Sequence, residues 1–575
     1  MKKIAKFMML SLLTITSVSL GACENQATKE KENVEQSTIQ PAALIRETNF
    51  GQVKGIEDEK VLIWSGIPYG GDTSGGNRWK APTDPQKWDG LLDTKESGVV
   101  ALQNSADGAI GNEDALNLDI YRPNNGKENL PVLVYVHGGN NQTGHAQEIS
   151  GKSFVSNHDA IVVSVNYRLG VLGFNPLPSL KVNSDEENSG NYGLLDIAKS
   201  LDWVKENIAN FGGDGENITI SGFSAGGRDV MAMLISPLFK NKFQQAISFS
   251  GGMTIADEEK SQEVFAMALA PLVVEDGVKE DETQAKSWLL TEDSEVREYL
   301  LGIEASRLAS LMGNASIRME VFPHLYNDGA VLPKNGFATT QYNDVPLLMI
   351  TGEQEFSLFG LFDPYFAKYV ADDSINTDEG INKQFQFVNT YGGQFYSLFN
   401  VNDSAEQLIN NYQEPIYNME IAFGANEKNI DKVMKNFGSF HGVFVPLLDS
   451  NNNNYEQFVG TSYESEGAKK MQAAFQDYLY SFIKTGNPNQ EELPEWTPWK
   501  LNGARENLYL DADKTSFSAV MQEKGYSYEE ILNNIEEDQS IPEEQKEYLV
   551  KNVLNGRWFS YGLDEKYNNL TEFYK

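Results

Sequence analysis

The chain of 575 residues holds one cysteine, Cys23, and five histidines. A single cysteine excludes a disulfide framework and any cysteine metal cluster. Positive charge is also scarce: 46 Lys and Arg stand against 82 Asp and Glu, a formal net charge of −36. Phosphates would repel so acidic a chain, which argues against nucleic acid as a partner. Net charge alone reads as a solvated acidic surface. Apolar residues are not lacking. They make up 40% of the chain, and aromatics 11%, enough for a large core without cross-links.

The N-terminus reads as a processing signal. Lys2, Lys3 and Lys6 precede an apolar stretch from Phe7 to Leu20. That stretch is short for a membrane span and fits an export signal. It ends in Leu20-Gly21-Ala22-Cys23, which resembles the bacterial lipobox, whose cysteine is lipidated and becomes the first mature residue. The expected organisation is a signal peptide over residues 1–22, a flexible tether over 23–41 and a catalytic domain over 42–575. Residues 24–40 are polar and rich in Lys and Glu, too poor in apolar side chains to fold alone. The expected location is the outer face of a bacterial membrane, held there by a lipid on Cys23.

From residue 41 onward, apolar runs alternate with helical segments. Residues 131–136, 161–165, 218–220, 246–249 and 345–350 read as strands buried on both faces, and 225–235 as a helix. This pattern predicts an α/β fold with a mostly parallel sheet flanked by helices. Residues 255–320 and 363–432 carry no repeated strand pattern and read as helical cap insertions. Ser527 with Glu530 and Ser540 with Glu543 are expected capping boxes in a C-terminal helical extension.

Chemistry centres on Gly222-Phe223-Ser224-Ala225-Gly226. A serine hydroxyl is a weak nucleophile unless it is held in the open beside a base. A glycine-flanked strand-to-helix turn does this. The base must be a histidine, and in this arrangement it follows an acid that follows the serine. Of His137, His145, His158, His324 and His441, only the last two lie after Ser224. His324 would precede the acid, so chain order selects His441, in Gly438-Ser439-Phe440-His441-Gly442. Upstream, His137-Gly138-Gly139-Asn140 follows a strand, and backbone N–H groups in such a turn suit an oxyanion.

Together these residues resemble the type-B carboxylesterases. Residues 211–226 fit that family's serine signature and 113–123 its second signature. Residues 67–69, 166–170 and 190–196 and the pair Asp328-Gly329 match further landmarks. The resemblance runs from about Phe50 to Asp511. It implies an α/β-hydrolase fold and a serine esterase acting on small-molecule carboxylic esters, without metal or organic cofactor. It places the acid on Glu355, counted from Val345-Pro346, with Glu353 as the nearby competitor. It implies the N–H groups of Gly139, Asn140 and Ala225 as oxyanion donors.

Several positions depart from the family. Asn140 stands where Gly is usual, and Ala115 where a disulfide cysteine is frequent. Phe223 stands where cholinesterases carry Glu, which argues against a specialised choline-ester enzyme. Asp229 replaces a usual Ser and, one turn after Ala225, is a candidate support for His441. Ser250 matches a family serine and is a second such candidate. The same residues argue against two other classes. Inactive adhesion proteins of this superfamily lose the serine or the histidine, and both are present here. Serine peptidases with Gly-x-Ser-x-Gly-Gly use Asp and carry a propeller, and the sequence displays neither.

Overall fold

A computed structural model describes residues 44–312, 323–426, 429–450, 452–503, 505–523, 527–557 and 559–567. The expected signal peptide, Cys23 and the tether lie outside the described residues.

One sheet of eleven strands organises the chain. In chain order these are β1 (Ile56–Asp58), β2 (Val61–Pro68), β3 (Asn117–Pro123), β4 (Leu130–Val136), β5 (Ile161–Val165), β6 (Gly213–Phe223), β7 (Gln245–Phe249), β8 (Leu347–Gly352), β9 (Ile416–Ile421), β10 (Glu506–Ala512) and β11 (Phe517–Glu523). The spatial order is β11-β10-β9-β8-β7-β6-β4-β5-β3-β2-β1. From β10 across to β5 all neighbours are parallel. Antiparallel strands close both edges.

The strands are continuous apolar runs because both faces are covered. Every residue of β4 is buried. Val132, Val134 and Val136 pack on one side with helices α1 (Tyr192–Asn207), α2 (Ala225–Met233) and α3 (Glu258–Glu275). Leu133 and Tyr135 point to the other side, the side of Phe385 and Phe475. Leu347 and Met349 alternate with Leu348 and Ile350 in the same way. The second face carries α4 (Ser357–Phe362), α5 (Glu379–Ser397) and α6 (Glu466–Thr485).

Two readings need correction. The segment 363–432, expected to be helical or irregular, contributes β9 to the parallel sheet. Asn418 and Glu420 interrupt its apolar residues although both are buried, so no continuous run was visible. The second capping box is absent. The helix Glu543–Leu549 starts after Pro542, and the Ser540 N–H donates to Asp538 Oδ1 at 2.6 Å. The first box is formed in full, Ser527 and Glu530 bonding each other at the start of α7 (Tyr528–Glu537).

Parallel strands deliver their C-terminal ends to one edge, where the next residues are free to turn away. In open α/β sheets that edge is the usual place for chemistry. Ser224 follows β6, His137 follows β4, Ser250 follows β7 and Glu355 lies three residues beyond β8.

Candidate active site

Ser224 caps α2 with φ 57° and ψ −116°, a conformation few L-residues adopt. Its N–H donates to Phe249 O of the neighbouring strand end at 2.9 Å, which holds the turn. The turn is tight enough to require glycine at position 226: a Cβ there would lie 2.2 Å from Val136 O. Ser224 is only partly buried, although its neighbours on both sides are buried.

His441 lies on the loop between β9 and α6. Its Nδ1 is 2.5 Å from Glu355 Oε2, both side chains being almost wholly buried. Its Nε2 is buried and has no hydrogen-bond partner among the described residues. Phe223 and Phe359 lie 4.8 and 5.1 Å from the imidazole, centre to centre, and the Tyr396 ring stacks at 5.3 Å. Phe359 comes from α4 and Tyr396 from α5, so the helices inserted after β8 cover the histidine. Sequence patterning offered no signal for these two aromatics, since a ring on a helix is ordinarily core.

Glu355 is held on its other oxygen. Oε1 accepts from Ser250 Oγ at 2.6 Å, from Gly352 N–H at 2.6 Å and from Thr351 Oγ1 at 3.0 Å. Hydrogen bonds to a charged group are each worth about 1.5–3 kcal/mol, enough together to hold one carboxylate orientation. Ser250 therefore touches the acid, not the histidine. Glu353 points elsewhere: its Oε2 accepts from Tyr509 OH at 2.5 Å, on β10. A backbone lock joins the two loops, with Gln354 N–H donating to Ser439 O at 2.9 Å and Ser439 N–H to Gln354 Oε1 at 3.1 Å.

The glycine turn after β4 lies against the serine. A Cβ on Gly138 would sit 3.1 Å from Ser224 Cβ. Gly139, Asn140 and Asn141 all have positive φ, at 97°, 56° and 56°. Among the described residues the N–H groups of Gly139 and Ala225 make no hydrogen bond. His137 is buried beneath the turn, stacked on Tyr167 at 4.6 Å. Burial pushes its imidazole down to about 3, so it is a neutral packing residue.

Asp229 corrects an expectation. Its carboxylate accepts from Asn141 Nδ2 at 2.8 Å instead of approaching His441. Helix α2 aims that side chain at the turn after β4, and the carboxylate bonded to His441 is that of Glu355. Burial pushes Asp229 up to about 7 from its ordinary 3.8, and Asn141 and Arg228 only partly offset this. Between those values the folded protein keeps a proton that the unfolded chain has released. Stability from this group is therefore lost as pH rises through that window. Asp229→Asn should remove this slope. Between pH 5 and pH 8 its melting temperature should fall less than the wild type's, and equal falls would contradict the assignment.

Among the described residues no cluster of three or more His, Cys, Asp or Glu could hold a metal. The carboxylesterase family model matches residues 42–414. The chain belongs to the carboxylesterase family. It is a carboxylic ester hydrolase with the α/β-hydrolase fold. The matched segment contains Ser224 and Glu355 and ends before His441, whose place is read from its contact with Glu355.

This carboxylesterase is 28% identical to the para-nitrobenzyl esterase of Bacillus subtilis over 81% of its own length and 95% of that protein's. It is 27% identical to liver carboxylesterase 1 of Oryctolagus cuniculus over 76% of this chain and 84% of the other. Among solved structures, a carboxylesterase of Geobacillus stearothermophilus superposes with a TM-score of 0.64 at 25% identity, covering 83% of this chain and 98% of that one. Segments 166–170 and 190–196 meet in the core of this carboxylesterase. Buried Arg168 pairs with Asp196 through two bonds of 2.8 and 2.7 Å, a bidentate contact that fixes the two segments against each other.

Proposed function

We propose that this carboxylesterase cleaves esters through an acyl-enzyme on Ser224. His441 Nε2 takes the serine proton as Oγ attacks the carbonyl carbon. The N–H groups of Gly139, Asn140 and Ala225 receive the oxyanion. The tetrahedral adduct collapses as His441 returns the proton to the leaving alcohol. Water, activated by the same histidine, then releases the acid. Glu355 holds the tautomer in which Nδ1 carries hydrogen and Nε2 accepts.

One observation carries the reading. His441 is pinned at Nδ1 by Glu355 at 2.5 Å while its Nε2 is buried and unpartnered, on the loop edge that also carries the partly exposed Ser224. A buried imidazole nitrogen without a partner is costly, and a serine hydroxyl would satisfy it. The wall of Phe223, Phe359 and Tyr396 favours apolar ester groups. Para-nitrophenyl esters of graded acyl length are suitable assay substrates. A fluorophosphonate should add its mass to the Ser224 peptide and abolish turnover. A folded protein that turns over such esters with Ser224 unlabelled would falsify the mechanism.

The same proposal covers the N-terminus. Cys23 carries a lipid, residues 1–22 are removed, and the tether presents the domain 42–575 outside the membrane. The Lys residues before a short apolar stretch, ending at the chain's one cysteine, support this. Cys23→Ser should move esterase activity from the membrane fraction to the soluble fraction. Activity that stays with the membrane would refute the anchor.

A further inference from the structure

Two departures from the family pattern, Asn140 and Asp229, are linked through each other's chain neighbours. Asn140 and Asn141 sit in the turn after β4, and Arg228 and Asp229 are consecutive on α2. Arg228 is buried, and its Nη2 donates to Asn140 Oδ1 at 2.8 Å. Asn141 Nδ2 donates to Asp229 Oδ1 at 2.8 Å. Asn141 is held twice more: its Oδ1 accepts from Tyr167 OH at 2.7 Å, and its carbonyl from Gly170 N–H at 2.6 Å.

The geometry has a consequence for the donors. Ala225 is the first residue of α2, and Arg228 and Asp229 lie within one turn of it. The other two donors, on Gly139 and Asn140, belong to the turn. Without its side chains that turn would be a flexible glycine-type loop in the left-handed region. Bonded side chain to side chain, turn and helix hold all three N–H groups as one body. We infer that Arg228 is a positioning residue for ester hydrolysis, fixing the oxyanion donors by gripping the Asn140 side chain, with Asp229 gripping Asn141 beside it. This rests on the mechanism proposed above.

The charges match the task. Positioned donors act on charge that develops only in the transition state. Losing a whole oxyanion donor costs roughly 10²–10³ in kcat. Loosening a donor costs less than losing it, so a ten- to hundredfold effect is expected from Arg228 alone. Asn140→Gly keeps both the N–H and the tolerance of positive φ but removes the same contact, so it should itself cost about as much as the loss of Arg228, roughly ten- to hundredfold.

A double-mutant cycle with Arg228→Met and Asn140→Gly tests the inference. Arg228→Met should lower kcat about ten- to hundredfold with KM within about threefold. It should weaken a trifluoromethyl ketone, which forms an oxyanion adduct on Ser224, by the same factor. In the Asn140→Gly background the same substitution should cost under about threefold, because the contact is already gone. Equal costs in both backgrounds, or a loss confined to KM, would overturn the assignment. Arg228→Lys keeps the cation and should recover part of kcat. If Arg228→Met does not fold, Arg228→Lys takes its place in the cycle and must show the same non-additivity. A wild type without turnover or phosphonate labelling would remove the proposed mechanism itself. An active, labelled wild type with an additive cycle would remove only the role of Arg228.

Discussion

Ser224→Ala should lower kcat by on the order of 10⁶-fold, because a group that forms and breaks the covalent bond has no substitute. KM should change little, since the hydroxyl contributes little to ground-state binding. Residual turnover should remain on the order of 10³-fold above the uncatalysed reaction, since Gly139, Asn140 and Ala225 still offer donors to an oxyanion. Folding should be nearly unaffected. Alanine bears a Cβ as serine does, so the strain at φ 57° is unchanged, and the N–H still bonds Phe249 O. Steady-state kinetics with a para-nitrophenyl ester, paired with a melting curve, checks both halves. Activity within a hundredfold of wild type would mean that the attacking group lies elsewhere.

The second large effect is expected at Glu355. Glu355→Gln should lower kcat by roughly 10⁴-fold, the cost of a wrong histidine tautomer. Glutamine is nearly isosteric, and its oxygen can still accept from Ser250, Thr351 and Gly352. That places its NH₂ against His441 Nδ1, which must then become the acceptor. The proton moves to Nε2, and the nitrogen facing the serine can no longer take a proton. Glu353→Gln supplies the control. Glu353 bonds Tyr509 on β10, so its change should leave kcat within about threefold. If Glu353→Gln were the more damaging of the two, the acid would have been misassigned.

The core and the tight turn that carries Ser224 were legible in the sequence because their signals are local. A strand buried on both faces is mostly apolar, and 131–136, 161–165 and 246–249 are, with only Ser164 and Ser248 among them polar; each lies within a strand of the sheet. A serine presented at a tight turn needs glycines within two residues, and Gly222 and Gly226 stand there. Five histidines and the order of the chain left one candidate base. Strand β9 escaped because burial can be satisfied by partners as well as by hydrophobicity. Asn418 and Glu420 lie in the sheet as polar residues and broke the apolar run.

What the tertiary structure alone decided is which polar groups face one another. Asp229 was a candidate support for His441, and the direction of α2 sends it to Asn141. Glu353 and Glu355 are two residues apart, and the turn after β8 sends them to different partners, Tyr509 and His441. Arg228 and Asn140 are 88 positions apart. Composition and short-range periodicity set burial, which is a property of each residue in turn. A hydrogen bond is directional and short, so its partner depends on where two distant segments are finally placed. That placement set Glu355 against His441 Nδ1, and Arg228 and Asp229 against the turn after β4.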